Sequence, residues 1–151
     1  MLIVIYGESC TGKSTVAEIV GEKINAKIIC GKDYLRMAKS EHEAECAFTE
    51  KLKTAVSGDE NIIYVFAEPE LARLLPCGAF SVYVKASIDT VLERFRKRMH
   101  GNMPDAVKNM LIKKHGCFEK FTHDMILCTD ELQAEDCAEQ ILNKIKTITG
   151  D

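Results

Sequence analysis

The chain reads as a three-layer α/β domain, a parallel sheet with helices on both faces. Three observations predict this. Five short apolar runs rich in Ile, Val and Tyr are spread along the 151 residues, and several lack the polar alternation of a half-exposed strand. Segments with helical apolar periodicity lie between those runs, and such alternation makes the strands parallel. A glycine-bracketed loop, GESCTGKS at 7–14, stands between the first strand and the first helix.

The elements follow in order. LIVIY (2–6) is the first strand, and Val16, Ile19 and Val20 form the stripe of the helix after the loop. AKIIC (26–30), NIIYVF (61–66) and FSVYV (80–84) are the next three strands. Ile88, Val91, Leu92, Phe95 and Met99 line one helix face, with Ser87 or Asp89 as its cap, and Pro104 opens the following helix. DMILC (124–128) is the fifth strand, and Ala134, Cys137, Ala138, Ile141, Ile145 and Ile148 face inward from the last helix. In such sheets ligands bind beyond the carboxyl ends of the strands, so the chemistry is expected just after each one.

Bulk properties narrow the function classes. A hydrophobic fraction of 46% supports a core for one domain over residues 1–151. Twenty basic against 23 acidic residues, a net charge of −3, argues against a dedicated nucleic-acid binder. No apolar stretch approaches the ~20 residues that cross a bilayer, and the opening residues lack a signal-peptide pattern. Seven cysteines without a C-x-x-C pair read as reduced thiols of a cytoplasmic protein. The four histidines fit no metal-ligand spacing and are expected on the surface or in a lid. No feature of the sequence signals an oligomeric state.

Residues 7–15 carry the strongest signal: Gly7, Glu8, Ser9, Cys10, Thr11, Gly12, Lys13, Ser14 and Thr15. The two glycines let the backbone curl so that successive N–H groups face an anion, and the next helix presents its positive end to the same place. Lys13 supplies a mobile point charge for the β and γ phosphates of a nucleoside triphosphate, and the Ser14 hydroxyl suits Mg²⁺. Cys10 lies inside this loop, so its oxidation or alkylation would block nucleotide binding.

Two further segments have a structural and a functional reading each. In CGKDYLRM (30–37), Asp33 either caps a helix ahead of a solvent-facing Arg36, or both stand at the mouth of the site. There a carboxylate can order the Mg²⁺ shell or take a hydroxyl proton, and an arginine can grip a phosphate or carboxylate. From Lys85 to Lys120 nine basic residues face four acidic ones. Arg94 and Arg98, four apart, project from one side of a helix. They form either a solvated face or a pair of cations closing over the triphosphate, where fixed charge stabilises the transition state. Residues 41–60 are acidic, with six carboxylates against two lysines, and a solvated acidic helix is the plain reading of 41–53.

The motif GESCTGKST after an N-terminal strand resembles the small P-loop kinases, which include the adenylate kinase-like nucleoside monophosphate kinases and the shikimate kinase group. DYLR (33–36) is similar to the D-x-L-R stretch after their second strand, and VKASIDTVLERFRKR (84–98) to the helix leading into their lid. GTPases fit less well, because no N-K-x-D motif is present, and in IIYVFAE the third strand ends on Glu68 rather than the aspartate of the large ATPases. The resemblance implies a three-layer P-loop NTP-hydrolase fold with a five-stranded parallel sheet. It also implies a short acceptor-side helical insertion at about 34–57, a short lid at about 98–106, and Mg²⁺- and ATP-dependent phosphoryl transfer to a small molecule. By the same match Lys13, Asp33, Arg94 and Arg98 are catalytic, and Ser14 and Asp33 serve the metal. Asp33, Arg36 and, approximately, Arg73 bind the acceptor, and Lys113 or Lys114 takes the place of a further arginine.

The family's D-G-[FY]-P-R stretch is absent, with FAEPELAR in its place. Three functions therefore stay open. One is a nucleotide or nucleoside monophosphate kinase. Another is a kinase for a hydroxylated metabolite or antibiotic with Asp33 as base. The third is a nucleotide-binding regulatory module with little turnover.

Overall fold

The computed structural model describes residues 1–150. Strands β1 (Leu2–Tyr6), β2 (Lys27–Cys30), β3 (Ile62–Phe66), β4 (Phe80–Lys85) and β5 (Met125–Cys128) form one sheet in the order β2-β3-β1-β4-β5. Every pairing is parallel; Leu2 stands opposite Ile62, and Ile3 opposite Phe80. The helices are α1 (Lys13–Ile24), α2 (Glu41–Ser57), α3 (Ile88–Arg98), α4 (Asp105–Lys114) and α5 (Ala134–Thr149). Short 3₁₀ helices occupy Asp33–Met37 and Pro69–Leu74. All five strands expected from the sequence are present, and the fold is the parallel α/β sandwich expected.

The period of two along each strand divides the core. Ile3 and Ile5 of β1, with Ile63, Val65, Val82 and Val84, pack on α1 and α5 through Val16, Val20, Ile141 and Ile145. Leu2, Val4 and Tyr6 turn to the opposite face with Tyr64 and Phe66, where α2 supplies Ala44, Phe48 and Leu52. That second face is aromatic: Tyr6 stacks on Phe66 and Tyr83, with ring centroids 5.5 and 6.0 Å apart, and Phe118 closes over them. Helix α2 is thus amphipathic: Ala44, Phe48, Leu52 and Ala55 are buried, while Glu41, Glu43 and Glu50 meet water together with His42 and Lys53.

Helix ends follow local chemistry. Ser87, not Asp89, caps α3, accepting the Thr90 amide at 3.2 Å. Ser40 caps α2 by accepting the Glu43 amide at 3.1 Å. Between α3 and α4 the chain turns through His100 and Gly101, both with positive φ, and Pro104 stands at the N-cap of α4. A third apolar cluster, of Cys10, Ala86, Val91 and Leu111, binds α3 and α4 to the phosphate loop. Among the described residues no helix is long and apolar enough to cross a membrane.

Candidate active site

The loop between β1 and α1 is shaped by steric limits at two points. A Cβ on Gly7 would collide with the carbonyl oxygen of Val84, so β4 can approach only a glycine there. Gly12 has φ +91°, a conformation that side chains resist. The loop is then tied from within and from both sides. Thr11 Oγ1 donates to the Glu8 carbonyl at 3.0 Å, and Thr129 Oγ1, just past β5, donates to the Thr11 carbonyl at 2.6 Å. Arg94 of α3 donates to the Cys10 carbonyl at 3.2 Å, to Thr129 Oγ1 at 2.9 Å and to the Thr129 carbonyl at 3.0 Å. Beside it a groove of about 390 Å³ runs between Gly12, Thr15 and Arg94 and the loop 129–134.

Lys13 begins α1 and is only 8% exposed; its Nζ donates to the Glu8 carbonyl at 3.2 Å. Burial holds its ammonium below the ordinary lysine range, the Glu8 and Glu68 carboxylates oppose that shift, and Arg98 adds to it. Glu68 and Arg98 therefore both act on Lys13 at the carboxyl end of the sheet. Ser14 and Thr15 are exposed in the first turn of α1.

Glu8 behaves unlike a filler position of the loop. It is 7% exposed, and its carboxylate accepts the Tyr83 hydroxyl at 2.8 Å and the Gly116 amide at 2.7 Å. His115, next to that glycine, bonds the Ala86 carbonyl through Nε2 at 2.9 Å. The end of α4 is thereby docked against the phosphate loop. A cavity of about 90 Å³ lies beneath it, reached by Glu8, Ser9, Glu68, Met110, Lys114 and Cys117 among others. Of the two lysines weighed from the sequence, Lys114 lines this cavity.

The acceptor-side residues are distributed differently from the phosphate-side ones. Asp33 and Arg36 are exposed in the first 3₁₀ helix and line a groove of about 250 Å³ along edge strand β2, with Lys27 and Lys51. Asp33 still influences Cys30, as does Lys13, so it stands at the carboxyl end of the sheet. Asp33 lies inside the 3₁₀ helix rather than at its N-cap, which is Lys32. Arg73 forms a two-pronged ion pair with Glu45 of α2. Arg98 is exposed, while Arg94 is half-buried and fully engaged.

Two expectations need correction. Cys10 is not a presented thiol: it is 6% exposed and packed against Ala86, Val91 and Leu111. His123 is not a surface residue either. It packs on Tyr83 with ring centroids 4.8 Å apart, and its Nδ1 is hydrogen-bonded to the Tyr6 hydroxyl. Sequence reasoning placed Glu8 in the loop but missed that its carboxylate is a buried anchor, and it missed Thr129 and Gly116 as parts of the site. Their partners are distant in the chain, and no local pattern signals such contacts.

No protein-family model and no curated protein sequence matches the chain. Solved structures do. An uncharacterized protein from Eubacterium ventriosum is similar at TM-score 0.70 and 16% identity over 97% of this chain and 98% of that one. The YorR protein of Bacillus subtilis, solved with phosphorylated GDP, gives 0.68 and 18% over 100% and 99%. Shikimate kinase from Aquifex aeolicus gives 0.61 and 18% over 99% and 98%. These likenesses cover 97–100% of this chain, so it has the fold of the small P-loop kinases.

Proposed function

We propose that the protein is a cytoplasmic kinase, acting as one domain over residues 1–151, that transfers the γ-phosphoryl group of ATP to a small molecule. The observation that carries this reading is the buried Lys13 ammonium, held by one carbonyl of the glycine-bracketed loop. A buried cation with so few partners suits an arriving polyanion. The groove beside Gly12, Thr15 and Arg94 takes the nucleoside, and Arg98 reaches the triphosphate from the end of α3. The seven unpaired cysteines support a reducing compartment.

The exposed Ser14 hydroxyl, with a carboxylate from Asp33 or Glu68 acting through water, makes an all-oxygen donor set that fits Mg²⁺. Bound there, Mg²⁺ would neutralise oxygens of the β and γ phosphates. The protein's own residues then position and stabilise. Lys13 holds the β and γ oxygens, the loop amides orient them, and Arg98 offsets the charge that moves onto the leaving oxygen. Arg94 acts differently, fixing the loop against Thr129 so that these donors keep their aim.

The test is ADP release from Mg·ATP across nucleoside monophosphates, nucleosides and hydroxylated metabolites, with Lys13→Ala as control. Acceptor-stimulated release that Lys13→Ala abolishes is the expected result. Tight ATP binding with no stimulated turnover would instead make the protein a regulatory nucleotide-binding module.

A further inference from the structure

Strand β2 is the outermost strand on one side of the sheet, so one of its backbone edges has no strand beside it. Its pairing with β3 fixes which groups face outward. The Lys27 amide donates to the Asn61 carbonyl at 2.9 Å, and the Gly31 amide to the Val65 carbonyl at 2.7 Å. The period of two therefore turns the N–H and C=O groups of Ile28 and Cys30 away from the sheet. No turn or loop bond among the described residues takes up either N–H. The groove of about 250 Å³ runs along this edge. Ile29, Tyr34 and Met37 give it an apolar floor, and Met37 is 42% exposed. Lys27, Arg36 and Lys51 line it against one carboxylate, Asp33. The ion pairs of the described residues join Lys53 to Glu50, Arg73 to Glu45 and Lys97 to Glu93, so these three cations are unpaired. In a chain of net charge −3, the groove is a local basic surface.

We propose that the β2 edge binds an extended acidic segment of a partner protein, which joins the sheet as an added strand. Ile28 and Cys30 each offer one donor and one acceptor to the backbone of that segment. The four residues of β2 span about 13 Å, enough to pair with about four residues of the partner. Alternate side chains of the added strand fall on the α2 face beside Lys27 and Ile29, where carboxylates meet the three cations. A second copy of this chain is a poor occupant, because pairing β2 with β2 brings the same three cations against themselves. The groove is separate from the one beside Gly12, Thr15 and Arg94, so peptide binding does not depend on the kinase reading above.

Three fluorescein-labelled hexapeptides test this on the full chain: alternating Glu and Val, alternating Lys and Val, and the Glu–Val sequence with every backbone nitrogen methylated. Fluorescence anisotropy gives the affinity, and amide hydrogen exchange read by NMR locates the peptide. The Glu–Val peptide is expected to bind at least about tenfold more tightly than either control, and more weakly as salt rises. The amides of Ile28 and Cys30 should gain protection, while that of Ile29, already turned toward β3, should not change. Lys51→Glu should weaken binding about tenfold at an unchanged melting temperature. Cys30→Pro, which deletes one outward donor and spares the bonds to β3, should weaken it as well. No measurable binding, equal binding of either control, or protection confined to other amides would overturn the proposal. So would protection of Ile28 and Cys30 that grows with protein concentration when no peptide is present, which would make the edge a contact between two copies. The peptides are compared on the wild type, so the result stands even if a variant fails to fold.

Discussion

The carboxylate of Glu8 accepts the backbone amide of Gly116 at 2.7 Å, joining the phosphate loop to the segment after α4 across 108 positions of chain. The same carboxylate holds the Tyr83 hydroxyl from β4, which keeps that phenol protonated well above its ordinary range, through burial first and the Glu8 bond second. Sheet, phosphate loop and the end of α4 therefore meet on one buried anion.

Replacing that anion should weaken the whole junction. Glu8→Ala strands a phenol and an amide in a buried place, at a cost of about 1–3 kcal/mol for each orphaned group. The urea midpoint should fall with an unchanged slope, and Glu8→Gln, which retains an acceptor oxygen, should fall less.

Lys13→Met separates stability from function. Burial lowers the ammonium's proton affinity in the fold relative to the unfolded chain, so charged Lys13 subtracts from stability at neutral pH. The ligand-free variant should melt at the same temperature as the wild type or higher. Turnover should vanish, and the rise in melting temperature on adding Mg·ATP should disappear with it.

Arg94 and Arg98 should fail in different ways. Arg94→Ala removes three hydrogen bonds to the phosphate loop and Thr129, so ligand-free melting temperature and ATP affinity should both drop. Arg98 is exposed, and its variant to Ala should melt like the wild type while kcat falls about 10²- to 10³-fold. Differential scanning with steady-state kinetics on both variants separates the two roles.

The pair Tyr6 and His123 sets an acid limit. Burial raises the Tyr6 phenol to about 12, its hydroxyl is hydrogen-bonded to His123 Nδ1, and burial holds the His123 imidazole below its ordinary range. The unfolded chain then binds the imidazole proton more readily than the folded one. Stability contributed here is present above about pH 6.5 and is lost as pH falls, levelling once the folded imidazole also protonates. Melting temperatures between pH 8 and 5 should show this slope, and His123→Phe should flatten it.

Much of the fold was legible because its signals are local. Runs such as LIVIY and IIYVF must bury both faces, and the stripe of Val16, Ile19 and Val20 must pack on them. The loop at 7–14 was equally legible, since glycine, lysine and serine at fixed offsets are dictated by backbone curl and phosphate charge within one short segment. Arg73 shows where such reading stops. Its charge was visible in the sequence, but its pairing with Glu45 depends on how α2 lies over the sheet.

The sequence by itself determined the parallel α/β architecture and the phosphate cradle around Lys13, because periodicity, glycine geometry and charge act over a few neighbouring residues. Only the tertiary structure decided that Glu8 is a buried anchor, that Arg94 ties the loop to Thr129, and that Asp33 and Arg36 open onto a different groove from Glu68. Those outcomes turn on which strand ends and helix ends meet. Hydrogen bonding and burial between residues so far apart in the chain are set by packing, and no local pattern encodes them.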